Sequence, residues 1–241
     1  MTRNYVHKRH VKVLGILSVL FLIASIYFHK QDSFVIFRGL RGVICFVFLA
    51  ILYFYQQKSV NWVVAVFLLL YGSSSIATIW SENLNVANIS MGLNFVAFMV
   101  LIGALSPKIN FKKMNGFFAS IFVVLIMVNG YLLYMFVEMI RDFALNDFHY
   151  FLVFLGAMSL IISSLCCLLY NHEISSNTSL LFTLFVFVLV FAEIFRVIAF
   201  YDFAYGNFSV YIARALVLLG ISLLVHYELT EKKPSEVLGR K

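Results

Sequence analysis

Residues 179–200 read SLLFTLFVFVLVFAEIFRVIAF, a stretch in which only Glu193 and Arg196 are charged. At a rise of about 1.5 Å per residue, a helix of this length crosses the roughly 30 Å of hydrocarbon in a bilayer. The whole chain has the same character, since 63% of its 241 residues are hydrophobic and 12% are charged. About a quarter of an ordinary soluble domain is charged, and a domain of this size cannot bury so much apolar surface. The sequence therefore predicts a polytopic membrane protein and excludes a soluble globule.

Seven further stretches have the length and low polarity of a transmembrane helix. With the first they predict an all-α protein with eight spans, in a single integral membrane domain that takes up residues 1–241. The predicted spans are 11–28, 38–55, 60–80, 87–105, 117–139, 148–170, 179–200 and 210–227. The first span follows a basic segment and resembles a signal peptide. It has no clear small-x-small cleavage site, so we interpret it as an uncleaved anchor.

The distribution of basic residues predicts the orientation. With eight spans, twelve Lys and Arg residues fall on the side that holds both termini and four fall on the other. The positive-inside rule then places both termini in the cytoplasm, for a protein of the cell or inner membrane. The same rule accounts for the net charge of +7 without a nucleic-acid partner. Cys45, Cys166 and Cys167 lie in predicted spans without metal-ligand spacing, so we expect reduced thiols, no metal and no cofactor. Homo-oligomer formation stays open.

A weak internal repeat relates the two halves of the chain. Residues 70–102 can be laid over residues 190–219 and beyond at an offset of 120 residues. Ser73 then meets Glu193, and Asn94 meets Arg214. Four helices per half would give a 4+4 parallel repeat about an axis along the membrane normal. Apolar sequence also aligns by chance, so both interpretations stay open.

Charged side chains inside the predicted spans are the candidates for a functional site, because each needs a partner, water or a ligand there. Glu193 and Arg196 are three residues apart and share one helix face. They form either a self-neutralising pair that permits insertion or part of a site. Arg214 lies in the last span and Arg38 at the start of the second. Three arginines outnumber Glu193, and a guanidinium suits phosphate, so we expect a membrane lipid or lysophospholipid as the neutralising partner.

Two polar features complete the candidate site. The third span carries Gly72-Ser73-Ser74-Ser75, for which close helix packing is the simpler interpretation. Asn94, in the middle of the fourth span, is typical of a hydrogen bond between helices. We expect helices three, four, seven and eight to surround a cavity that holds Glu193, Ser73 and Asn94.

Taken together, these features resemble the YhhN-type lysoplasmalogenase family, whose members are eight-helix membrane proteins of about this length. The resemblance extends over nearly the whole chain and depends on short motifs. The family's aromatic-Lys-Pro-Leu start of helix two corresponds to Phe37-Arg38-Gly39-Leu40. Its Ser-Asp pair on helix seven corresponds to Ala192-Glu193, and its Tyr-x-x-Ala-Gln pattern on the last helix to Tyr211-Ile212-Ala213-Arg214. Its Gly-Asp pair on helix three is replaced by Gly72-Ser73, and Asn94 lies near the place of a missing histidine.

The resemblance implies a membrane hydrolase that cleaves the vinyl ether bond of a lysoplasmalogen and releases an aldehyde and a glycerophospho headgroup. It implies Glu193 and Ser73 as the catalytic positions. The substrate-binding side chains that it implies are Arg38, Arg196, Arg214, Asn94 and Tyr211. Vinyl ether hydrolysis needs a proton donor and an oriented water, tasks that two carboxyl groups can divide. This chain retains only the carboxyl of Glu193. Two alternatives therefore stay open: a non-catalytic lipid-binding or structural protein of the same fold, and a small transporter.

Overall fold

The computed structural model describes residues 2–56, 60–109, 116–141, 146–200 and 206–230. Several of the basic residues that predict the orientation lie outside these ranges: Lys58, Lys112, Lys113, Lys232, Lys233, Arg240 and Lys241. The cytoplasmic placement of both termini therefore stays a prediction.

The regular structure of the described residues is helical throughout. The helices are α1 (Thr2–Lys30), α2 (Phe34–Gln56), α3 (Trp62–Ala77), α4 (Leu84–Leu105), α5 (Gly116–Ile140), α6 (Asp147–Ile174), α7 (Asn177–Phe200) and α8 (Gly206–Thr230). Short 3-10 turns follow α3 at Thr78–Trp80 and α4 at Ser106–Lys108. Among the described residues, eight helical segments are long and apolar enough to cross a membrane; the third, Trp62–Trp80, joins α3 to the 3-10 turn that follows it. The prediction of an all-α polytopic membrane protein with eight spans is confirmed, and each predicted span overlaps one helix.

Asparagine caps fix where several helices begin. The side chains of Asn61, Asn83 and Asn146 each accept a hydrogen bond from a backbone N–H in the first turn of α3, α4 and α6. A cap of this kind satisfies one of the N–H groups that the first turn of a helix leaves without a partner. Polar residues in the short connections thus determine where the apolar helices start.

Six helices form a closed ring over the ranges that the structure describes. Neighbours in the ring are α2 and α3, α3 and α4, α4 and α6, α6 and α7, α7 and α8, and α8 and α2. Helix α1 packs outside the ring against α2 and α8, and α5 packs mainly against α6. The two halves of the chain have matching neighbours. In the first half α1 contacts α2, α2 contacts α3 and α3 contacts α4; in the second half α5 contacts α6, α6 contacts α7 and α7 contacts α8. This is the arrangement that a parallel repeat of four helices would produce; the contact between α1 and α8 has no equally strong counterpart.

Aromatic side chains fill the interior of the ring. The ring centroid of Phe67 on α3 lies 5.7 Å from that of Phe185 on α7 and 5.9 Å from that of Phe98 on α4. Phe67 also stacks on Tyr71, one turn further along α3, at 5.6 Å. All four side chains are buried. Helices α3 and α7 therefore face each other across an aromatic layer, which lies directly beside the charged residues described below.

Helices α2 and α3 lie close together at two glycines. A Cβ atom on Gly42 would lie 2.3 Å from Ile76 Cγ1 and 2.7 Å from the backbone oxygen of Gly72. Small residues permit such close contact between membrane helices. The packing interpretation of the segment that begins at Gly72 therefore applies in the structure. The contact also sets Arg41, the neighbour of Gly42, against α3.

Candidate functional site

Glu193 on α7 is buried, with 2% of its surface exposed. The hydroxyl of Tyr71 on α3 donates a hydrogen bond to its Oε1 at 2.5 Å. Arg196 donates from Nε to the other carboxylate oxygen, Oε2, at 2.7 Å, and its Nη2 lies 2.5 Å from the same atom. The helical pair predicted from the spacing of Glu193 and Arg196 is thus formed. Both carboxylate oxygens have partners, and the acid links α3 to α7.

Arg41 on α2 is a second buried charge of this site, although it is not one of the site residues predicted from the sequence. Its Nε donates to Ser75 Oγ at 2.9 Å, and its guanidinium carbon lies 5.9 Å from the centre of the Tyr71 ring. It also interacts electrostatically with Glu193 and Arg196. Arg41 lies near the start of the predicted span 38–55, where the charge count places it with the basic residues of the outer side, so the sequence predicts a solvated residue rather than a buried one.

Periodicity could have identified Arg41 as a buried residue. Ile44, Cys45 and Phe48 follow it at three, four and seven residues, which is the spacing of one helix face. All three are buried in the structure, as is Arg41. An arginine at the end of such a stripe is expected to face the interior of the bundle rather than water.

Arg214 on α8 is the third buried charge and has no anionic partner among the described residues. Its Nη2 donates to the backbone oxygen of Phe37 at 2.8 Å, and its guanidinium carbon lies 4.2 Å from the centre of the Phe37 ring. Its Nη1 is buried and makes no hydrogen bond there. The groups that interact with it electrostatically include Arg41 and Tyr71 but no carboxylate. A buried charge without a counter-ion is costly, so Arg214 is the residue of the cluster whose charge the described residues balance least.

Two of the predicted substrate-binding residues lie near this cluster. Tyr211 lies one helical turn before Arg214, and its hydroxyl is 3.1 Å from Nδ1 of His29 at the end of α1. Arg38 is half-buried at the start of α2. Its Nη1 reaches the backbone oxygen of Thr78 at 3.4 Å and Ser81 Oγ at 3.5 Å, which are long distances for hydrogen bonds. Arg38 thus lies at the rim of the cluster.

Within the described ranges, neither Ser73 nor Asn94 forms a hydrogen bond with Glu193. Ser73 is exposed, because residues two positions apart on a helix point in directions about 200° apart and Ser75 faces Arg41. Asn94 is buried on α4, and its Oδ1 has no hydrogen bond to any described residue. Helix α2 contributes Arg41 to the charged cluster, although it is not one of the four helices, α3, α4, α7 and α8, that the sequence predicts around the site.

We call Arg41, Tyr71, Glu193, Arg196 and Arg214 the arginine cluster. It lies at the end of the bundle where α2 and α8 begin and where α3 and α7 end. A hollow of about 510 Å³ lies elsewhere, on the outside of α5, where it is lined by Met135, Phe136, Glu138 and Met139. The charges of the cluster, and not a hollow, therefore identify it as the candidate site. No group of three or more metal-binding side chains occurs within the described ranges.

Comparison with family models finds no match to this chain, and comparisons with curated proteins and with solved structures find none either. The resemblance to the YhhN-type lysoplasmalogenases therefore stays a prediction, and the chemistry of the site has to be argued from its own residues.

Proposed function

We propose that this protein binds the phosphate group of a membrane lipid at Arg41 and Arg214. The observation that carries the proposal is the state of Arg214, which is buried to 6% exposure, has an unpaired Nη1 and lacks a carboxylate partner among the described residues. Arg41 is buried beside it and, among the described residues, forms a hydrogen bond through Nε alone, to Ser75. Two guanidinium groups therefore have donors to offer to one anion.

The charges of the cluster favour an anionic ligand. Three arginines face one carboxylate, so the described groups of the cluster carry a net charge of about +2 when ionised in their usual forms. Glu193 is already bound to Arg196 and Tyr71. Phosphate accepts two parallel hydrogen bonds from a guanidinium group, which makes it the ligand that best fits the remaining donors.

The depth of the cluster favours a lipid as the source of the phosphate. Arg41 is the eighth residue of α2 and Arg214 the ninth of α8, so both lie about 10–12 Å from the first residues of their helices. Half of a hydrocarbon core is about 15 Å thick. The headgroup of a lipid could reach this level while its acyl chains lie against the apolar outer faces of the helices.

Hydrolysis of a vinyl ether, the other candidate, receives less support from the geometry. Glu193 would have to release a proton to the substrate, but its two oxygens are bound by Tyr71 and Arg196. A second carboxyl group would have to orient the water, and Ser73, at the position that the resemblance implies, is exposed. Binding without hydrolysis is therefore the function that we propose.

The test compares lipid retained by the purified full-length protein in mild detergent. Arg214→Gln and Arg41→Gln each remove donors from a different helix, and Arg141→Gln is the matched control because that side chain is 66% exposed and pairs with Glu138. We expect the first two variants to retain about tenfold less phospholipid than the wild type, since a charge-assisted hydrogen bond contributes about 1.5–3 kcal/mol. The control should retain as much as the wild type. Equal retention in all four proteins would overturn the proposal.

Two further measurements separate the alternatives. Delipidated protein is heated with inorganic phosphate or in nanodiscs that contain phosphatidylglycerol. Stabilisation by phosphate alone, with none from the lipid, would show that the ligand is a soluble anion and would overturn the lipid assignment. Incubation with a vinyl ether lysolipid should release no aldehyde. Aldehyde release that Glu193→Gln abolishes would establish hydrolysis instead.

A further inference from the structure

We infer that the arginine cluster selects lipids whose headgroup carries phosphate without an ammonium group, such as phosphatidylglycerol or phosphatidic acid, over phosphatidylethanolamine and phosphatidylcholine. The inference rests on the proposed function and adds the class of ligand to it. It follows from what surrounds Arg41 and Arg214.

An ammonium group attached to the bound phosphate would have to lie close to cations. The phosphate would contact Arg41 and Arg214, which already interact electrostatically with each other. Arg196 is a further cation on the side of Glu193. A like charge brought into a buried cluster is repelled far more strongly than it would be in water, because little solvent screens it.

No buried carboxylate of the described residues is free to receive an ammonium group at this site. Both oxygens of Glu193 are occupied by Tyr71 and Arg196. Asp32 is close enough to His29 to interact with it electrostatically, but it lies in the exposed turn between α1 and α2. An exposed carboxylate attracts an ammonium group only weakly, because water and salt screen it.

Two aromatic rings of the site are already engaged by guanidinium groups. Proteins recognise choline and related cations on the faces of aromatic rings. Here the Phe37 ring lies 4.2 Å from the guanidinium carbon of Arg214, and the Tyr71 ring lies 5.9 Å from that of Arg41. The two rings that contact Arg41 and Arg214 therefore already have a cation as their partner.

Neutral polar groups remain for the other part of the headgroup. Tyr211 lies one turn from Arg214, and its hydroxyl is paired with the imidazole of His29. Both side chains are half-buried. Hydroxyl and imidazole groups can bind the glycerol hydroxyls of phosphatidylglycerol or a further phosphate oxygen of phosphatidic acid. For the remainder of the headgroup, the described residues of the site thus offer a neutral hydroxyl and an imidazole but no free carboxylate to neutralise an ammonium group.

The experiment titrates delipidated full-length protein with four short-chain lipids of identical acyl chains and measures each bound species by native mass spectrometry. The lipids are phosphatidylglycerol, phosphatidic acid, phosphatidylethanolamine and phosphatidylcholine. We expect the first two to bind at least about tenfold more tightly than the last two. Arg214→Gln should abolish this difference, Arg41→Gln should do the same from another helix, and Arg141→Gln should leave it intact.

Two negative results of this experiment would have different meanings. If phosphatidylethanolamine binds as tightly as phosphatidylglycerol, and Arg214→Gln weakens both, the site binds phosphate but the selectivity is wrong. If neither Arg214→Gln nor Arg41→Gln changes the binding of any lipid, the proposed function itself is wrong. Size-exclusion profiles and thermal unfolding identify a variant that does not fold, in which case the other arginine variant decides.

Discussion

Replacing Gly42 by alanine should separate α2 from α3 and weaken the fold. The new Cβ would lie 2.7 Å from the backbone oxygen of Gly72, whereas ordinary contacts begin at 3.4 Å, so the helices must move apart by roughly 0.7 Å. Overpacking typically costs about 1–3 kcal/mol, and the 2.3 Å approach to Ile76 Cγ1 places this case at the upper end. Alanine recovers about 0.5–1 kcal/mol of helix propensity. The free energy of unfolding should therefore fall by about 2 kcal/mol.

The same displacement should affect the ligand. The hydrogen bond from Arg41 Nε to Ser75 Oγ is 2.9 Å long, and lengthening it by roughly 0.7 Å takes it out of hydrogen-bonding range. Thermal unfolding in detergent and retention of phosphatidylglycerol should both decrease in Gly42→Ala. Gly103→Ala is the matched control, because a Cβ at this exposed position on α4 has no atom within 4 Å. If the two variants unfold at the same temperature, the close contact between α2 and α3 does not exist as described.

Three further substitutions test the roles assigned to individual side chains. Ser75→Ala removes the partner of Arg41 Nε and leaves this buried donor without its hydrogen bond. Binding of phosphatidylglycerol should weaken several-fold, and the free energy of unfolding should fall by about 1–3 kcal/mol. Glu193→Gln should lower stability by an amount near the lower end of roughly 3–5 kcal/mol, since Arg196 is partly exposed, yet leave anionic lipid bound at least as tightly; loss of the lipid would contradict this. Ser73→Ala should leave thermal unfolding and lipid retention unchanged, and a clear loss of either would restore Ser73 to the site.

The eight helices could be predicted from the sequence because each depends on residues that are neighbours in the chain. Each span is set by an apolar run of sufficient length, and several ends are set by a capping residue such as Asn61. The pairing of Glu193 with Arg196 was predictable for the same reason, since it depends on a separation of three residues within one helix. These features follow from neighbouring positions in the chain.

The composition of the site could not be predicted in full because it depends on contacts between distant helices. Tyr71 looks like one more aromatic core residue of an apolar span, and only the approach of α7 brings Glu193 to its hydroxyl. Arg41 enters the cluster because Gly42 and Gly72 let α2 and α3 come together. Two glycines in different predicted spans do not by themselves predict such a contact, since glycine is common in membrane helices.

The three arginines of the cluster are held by interactions of different strength, and this difference assigns their roles. Arg196 is bound by an ion pair to the only acid of the cluster, so an incoming anion would have to compete with a buried carboxylate for it. Arg41 and Arg214 are held by a hydroxyl, a backbone carbonyl and two aromatic rings, all of which are neutral. A phosphate can add to such contacts without displacing a charge. Glu193 thus binds Arg196 in an ion pair that stabilises the fold, and Arg41 and Arg214 are left as the groups that would bind an anion.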